Sequence, residues 1–166
     1  MDNIVLIGMP GAGKSTVGVL LAKTLGYAFL DTDLVIQRRE GQLLQALVDA
    51  LGADAFLDVE ADALCSLDCT RTVIAPGGSA VYRKRAVEHL KSLGSVVYLR
   101  VPFEELETRL SNISSRGIAM APGQTLRDLY DLRAPLYEGC ADLVVDVGVG
   151  QTLEQTVAAV LRALNP

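Results

Sequence analysis

Tryptophan is absent from the 166 residues, phenylalanine occurs three times and histidine once. The lone His89 sits in RKRAVEHLK, far from the cysteines, so a zinc site would lack its third and fourth ligands. The thiols are few and odd in number: Cys65, Cys69 and Cys140. Such a set reads as reduced, buried structural thiols of a cytosolic protein, although Cys65 and Cys69 would share a face if both were helical. No apolar run reaches membrane length; the longest span four to six residues. The opening MDNIVLIG has no basic region before its apolar run and reads as a first strand, not a signal peptide. An excess of positive charge is missing as well. Fifteen basic against twenty acidic residues give a net charge of −5, which argues against a nucleic-acid partner.

Half the residues are apolar, enough for the core of one domain spanning residues 1–166. Strand-like runs alternate with helical ones. IVLI (4–7), AFL (28–30), TVIA (72–75), VVYL (96–99) and LVVD (143–146) read as strands. Helical patterns cover 14–25, 34–39, 43–50, 53–67, 83–91, 103–111, about 125–133 and 152–164. In the first of these, Val17, Leu20, Leu21 and Thr24 form one stripe. This alternation predicts an α/β fold, a parallel sheet with helices on both faces and ligands outside the carboxyl ends of the strands. NISSRGIAMAPG (112–123) has no period and is expected to be a mobile loop.

Gly8 to Ser15 (GMPGAGKS) fits G-x-x-x-x-G-K-[ST], after a strand and before a helix. Glycines here let backbone N–H groups turn inward, and the helix start adds positive potential. Gly11, Ala12, Gly13, Lys14, Ser15 and Thr16 are thus candidate nucleotide contacts. Lys14 would reach the β- and γ-phosphates and Ser15 would hold Mg²⁺. At the end of the second strand, FLDTD offers Asp31 and Asp33, one for the Mg²⁺ shell and one to orient or deprotonate a hydroxyl. A helix N-cap at Asp33 accounts for the same residues equally well. No N-K-x-D motif is present, which argues against a GTPase switch.

GMPGAGKST, FLDTD, APGGSAV, Arg116 in the unpatterned loop and LRAPLY (132–137), in that order, resemble shikimate kinase from Asn3 to about Asp142. The resemblance implies a three-layer P-loop kinase fold with a five-stranded parallel sheet in the order 2-3-1-4-5 and a lid over residues 112–124. It also implies ATP as donor, Mg²⁺ as cofactor and transfer of the γ-phosphoryl group to a hydroxyl of a small carboxylate, shikimate by default. Asp31 would hold the metal shell, Asp33 the acceptor hydroxyls as candidate base, and Arg133 the acceptor carboxylate. Gly77 and Gly78 would offer backbone N–H groups, Arg116 would close on the phosphates, and Arg109 would lie near adenine. A monomer in the cytoplasm, with no membrane partner, is expected.

Three departures bear on the acceptor. Where the family reads F-R-x-x-E, this chain has Phe56-Leu57-Asp58-Val59-Glu60; Ser79 replaces a third glycine; and R-P-L-L becomes Arg116-Gly117-Ile118-Ala119. Loss of one cation costs a carboxylate contact on the order of 1.5–3 kcal/mol, roughly ten- to hundredfold in affinity. It would also strip Glu60 of its neighbour. One retained cation and one freed anion suit a zwitterion, so a hydroxy amino acid such as homoserine stands beside shikimate as acceptor. A nucleotide-binding regulator without catalysis is the reading from another class; the intact acceptor-side groups count against it.

Overall fold

The computed structural model describes residues 3–111, 118–119 and 121–165. Its frame is a parallel sheet of β1 (Asn3–Ile7), β2 (Ala28–Asp31), β3 (Thr72–Ala75), β4 (Gly94–Arg100) and β5 (Leu143–Asp146). The strands lie in the order β2-β3-β1-β4-β5, as the resemblance implies. β1 is central and buried at every position, which is why its sequence shows no alternation. At the edge, β5 alternates between buried and exposed positions near its end, and β2 is half-exposed.

Helices cover the sheet: α1 (Lys14–Leu25), α2 (Thr32–Glu40), α3 (Leu44–Leu51), α4 (Ala53–Cys65), α5 (Lys84–Leu93), α6 (Phe103–Ser111), α7 (Leu126–Cys140) and α8 (Leu153–Leu164). α1 buries Val17, Gly18, Leu21 and Ala22; Thr24, placed on the buried stripe by periodicity, is exposed and bonds its own helix at Leu20 O, 2.8 Å away. α4 stops at Cys65, so Cys65 and Cys69 do not share a helical face. All three cysteines are free and half-buried, less enclosed than the sequence suggests. No helix among the described residues is long and apolar enough to cross a membrane.

Two apolar clusters form. The larger surrounds β1, β3 and β4; the smaller joins Ile36, Leu44, Leu47, Val48, Phe56 and Ala63 of α2, α3 and α4 with Ala119. The site lies where the smaller cluster meets the carboxyl end of the sheet. At the opposite end the buried Asn3 amide donates to Cys69 O (2.7 Å) and Leu93 O (3.1 Å), and its oxygen accepts from the Thr72 N–H (3.0 Å). It joins three chain segments far apart in sequence. Asn3→Ala would leave buried backbone groups unpaired, so we expect a loss of about 2–4 kcal/mol in urea unfolding with KM values unchanged.

Candidate active site

β1 ends at Ile7 and the chain turns through the glycine loop into α1. Gly11 (φ 81°) and Gly13 (φ 93°) adopt left-handed backbone, which other residues resist. Gly13 is the N-cap of α1 and offers no side chain, and the first turn carries no acid. The helix start therefore keeps free N–H groups and uncompensated positive potential, the chemistry a polyphosphate needs. Lys14 Nζ donates to Gly8 O (2.7 Å) and Met9 O (2.8 Å). Burial pulls its pKa down to about 8, aided by Arg133 and opposed by Asp33, Asp31 and Glu60. Ala12 departs from expectation: its methyl is buried and its N–H donates to Met9 O at 3.1 Å, so it is not on the cavity wall.

The second strand pairs Asp31 with Ala75 of β3, which sets both strand ends beside the loop. Asp31, not Asp33, is the N-cap of α2: its Oδ1 accepts from the Asp33 N–H at 2.9 Å. Its other oxygen, Oδ2, accepts from Ser15 Oγ at 3.2 Å. A hydroxyl and a carboxylate oxygen meeting across two elements fit a hard divalent cation such as Mg²⁺. Freed from capping, Asp33 points Oδ1 into the interior, buried and without a hydrogen bond among the described residues. Burial raises its pKa to about 6; Asp31 adds to the rise and Lys14 opposes it.

Beyond β3, Gly77 and Gly78 form the floor. A Cβ on Gly77 would stand 3.0 Å from Glu60 Oε2 and 3.1 Å from Asp33 Oδ1; one on Gly78 would strike Pro10 Cδ at 2.8 Å and Arg133 Nη1 at 2.9 Å. Glycine at both positions keeps this space open. Arg133 is 1% exposed. It lies inside α7 and not at its end, because the helix runs through Pro135 to Cys140. Its Nε donates to Tyr82 Oη (3.1 Å), its Nη2 to Ala119 O (2.9 Å), and its guanidinium lies 5.3 Å from the Tyr82 ring centroid. Nη1 has no hydrogen bond among the described residues.

Glu60 comes from the buried face of α4. Its Oε1 accepts from Ser79 Oγ at 2.6 Å. Burial lifts its pKa to about 7, with Asp33 raising it and Ser79, Arg133 and Lys14 lowering it. Leu57 is not on the cavity wall; it packs against the smaller apolar cluster. The sequence argument that Glu60 stands bare beside a vacated arginine position is thus corrected. Glu60 has a donor, supplied by another departure from the family pattern.

A single cavity of about 460 Å³ joins these groups. Its wall carries Gly11, Gly13, Lys14, Ser15, Thr16 and Arg109 on the loop side, and Asp31, Asp33, Glu60, Gly77, Gly78 and Arg133 on the other. Arg109 donates to Gly11 O (3.0 Å) and pairs with Glu105 (3.2 Å), so the loop fixes its position. Arg116 lies outside the described residues, as do 112–115, Gly117 and Met120. Sequence reasoning missed Tyr82, Tyr137 and Leu153. Tyr137, inside the LRAPLY motif, donates to Gly78 O at 2.6 Å and was within reach of a motif argument. Leu153, which lines the cavity at the start of α8, carries no signal of its own.

The family model for shikimate kinase matches residues 10–165. A shikimate kinase of Pseudomonas paraeruginosa is 41% identical, over 100% of this chain and 99% of the relative. Among solved structures, the shikimate kinase of Acinetobacter baumannii in complex with shikimate superposes with a TM-score of 0.85 at 34% identity. That match covers 99% of this chain and 92% of the other. The shikimate kinase of Aquifex aeolicus gives a TM-score of 0.78 at 29% identity, covering 98% and 95%.

Proposed function

The chain belongs to the shikimate kinase family and is an ATP-dependent kinase acting on a hydroxyl group, and we propose that its acceptor is shikimate. One observation carries the acceptor reading: the buried Arg133 lines the same cavity as Asp33, and Arg133 Nη1, beside Gly78, and Asp33 Oδ1, beside Gly77, have no hydrogen bond among the described residues. A small acid with hydroxyls satisfies both, its carboxylate on the cation and its hydroxyl on the carboxylate. The amino-acid alternative rested on Leu57 leaving Glu60 bare; Leu57 is off the wall, Glu60 Oε1 accepts from Ser79, and the relatives that match the whole chain are shikimate kinases.

ATP and Mg²⁺ are the cofactors; when bound, they supply the transferable phosphoryl group and the charge that shields it. Gly11, Gly13 and the start of α1 hold the phosphates with backbone N–H groups, and Lys14 neutralises charge there. Ser15 and Asp31 hold the metal, and Thr16 and Arg109 line the nucleotide side. Asp33 orients the acceptor hydroxyl and takes its proton on Oδ1. Arg133 and the N–H groups of Gly77 and Gly78 hold the acceptor carboxylate. The cavity wall draws on residues from Pro10 to Leu153, so the whole chain acts as one domain, which we take to work as a monomer. Three free thiols fit a reducing cytoplasm.

The test is ADP release with ATP and Mg²⁺ against shikimate, homoserine, serine, threonine and gluconate in parallel. We expect turnover with shikimate and at most a trace, about a hundredth or less, with the others. Preferential turnover of an amino acid would overturn the acceptor assignment.

A further inference from the structure

Glu60 of α4 and Ser79 of the loop after β3 meet beside the acceptor floor. Glu60 is 1% and Ser79 7% exposed, and they are 19 residues apart. Ser79 Oγ is the one hydrogen-bond donor to the Glu60 carboxylate among the described residues. The second oxygen, Oε2, is buried with no hydrogen-bond partner among the described residues and lies against the open face of Gly77, as does Asp33 Oδ1. Two carboxyl oxygens thus border a gap kept clear by a missing side chain. Burying such oxygens without donors is costly, so the arrangement calls for a ligand that brings O–H groups. The charged groups facing Glu60 are Asp33 of α2, Arg133 of α7 and Lys14 of α1. Neither cation hydrogen-bonds it, so its orientation depends on Ser79.

We propose that Ser79 is a positioning residue for the acceptor: its hydroxyl pins Glu60 Oε1 and turns Oε2 toward the Gly77 face, where Oε2 accepts from an acceptor hydroxyl. The inference rests on the acceptor pocket assigned above. It explains why serine stands here beside a leucine at position 57. A short hydroxyl anchors the carboxylate in place, whereas a glycine would leave it to rotate.

The test compares Ser79→Ala, Ser79→Thr, Glu60→Gln and the double variant Ser79→Ala/Glu60→Gln in steady-state kinetics. Ser79→Ala is expected to raise the shikimate KM about tenfold while the ATP KM stays within about twofold. Ser79→Thr, which keeps the hydroxyl, should restore most of the loss. The double variant should be no worse than Glu60→Gln, because both remove one unit. Multiplying effects in the double variant, or an ATP KM that moves as far as the shikimate KM, would overturn the proposal. If Ser79→Ala fails to fold, Ser79→Gly takes its place in the same comparison. If the parent enzyme ignores shikimate but turns over another acceptor, the acceptor assignment fails, and the same cycle run with that acceptor still decides the role of Ser79.

Discussion

Asp33→Asn is expected to lower kcat by about 10²–10⁴ while the ATP KM stays within a fewfold. An amide keeps the shape of the carboxylate but cannot take the acceptor proton, so the loss falls on chemistry. The same variant has a second signature in stability. Without nucleotide or Mg²⁺, burial and Asp31 raise the Asp33 pKa from the ordinary 3.8 to about 6. The fold therefore holds a proton that the unfolded chain releases at lower pH. Stability from that proton is complete below the ordinary carboxylate range and is lost as pH rises through about 6. Over that window the wild type should lose about 2–3 kcal/mol from this group, and Asp33→Asn should lose that share of the slope. Glu60 behaves in the same sense, with its window extending to about 7. Urea unfolding of both proteins from pH 4 to 8 checks the sign; an unchanged slope in the variant would show that Asp33 is not the buried acid described.

These charges show how far the site could be read from sequence. The strands and the phosphate loop were legible because their signals are local: β1 is buried throughout and reads as an unbroken apolar run, and Lys14–Leu25 starts and stops where its glycines direct. Asp31 and Asp33 were legible as a pair, but their division of labour was not. Capping of α2 depends on a 2.9 Å contact between them that spacing alone assigns to either residue. The helical pattern in the sequence runs only to about Arg133, and Pro135 beyond it is an ordinary helix breaker. The helix continues because Arg133 and Tyr137 are fixed on both sides of the proline by Ala119, Tyr82 and Gly78. Leu57 and Ser79 read in sequence as two separate departures from the family pattern. In three dimensions the second supplies the donor that the first withholds, a coupling between α4 and the loop after β3 that no periodicity encodes.

Arg133→Lys tests whether that fixed guanidinium is needed as a fork and not only as a charge. We expect kcat/KM for shikimate to fall about 10²–10³-fold, mostly through the acceptor KM, with the ATP KM within about threefold. Lysine keeps the positive charge that offsets Asp33 and Glu60, so the loss would not come from charge imbalance. It cannot at once donate to Tyr82 Oη and Ala119 O and leave a nitrogen facing the cavity beside Gly78, as arginine does here. The buried Ala119 carbonyl then loses its donor, at a cost of about 1–3 kcal/mol in stability. Melting with and without shikimate separates the two losses. The wild type should gain stability on adding the acceptor and Arg133→Lys should gain little, since a ligand stabilises only as far as it binds. If Arg133→Lys melts lower yet gains as much from shikimate as the wild type, Arg133 serves the fold and the acceptor carboxylate is held elsewhere. If it loses the ligand-dependent gain, the guanidinium that α7 holds one turn short of Tyr137 is the anion site of the acceptor.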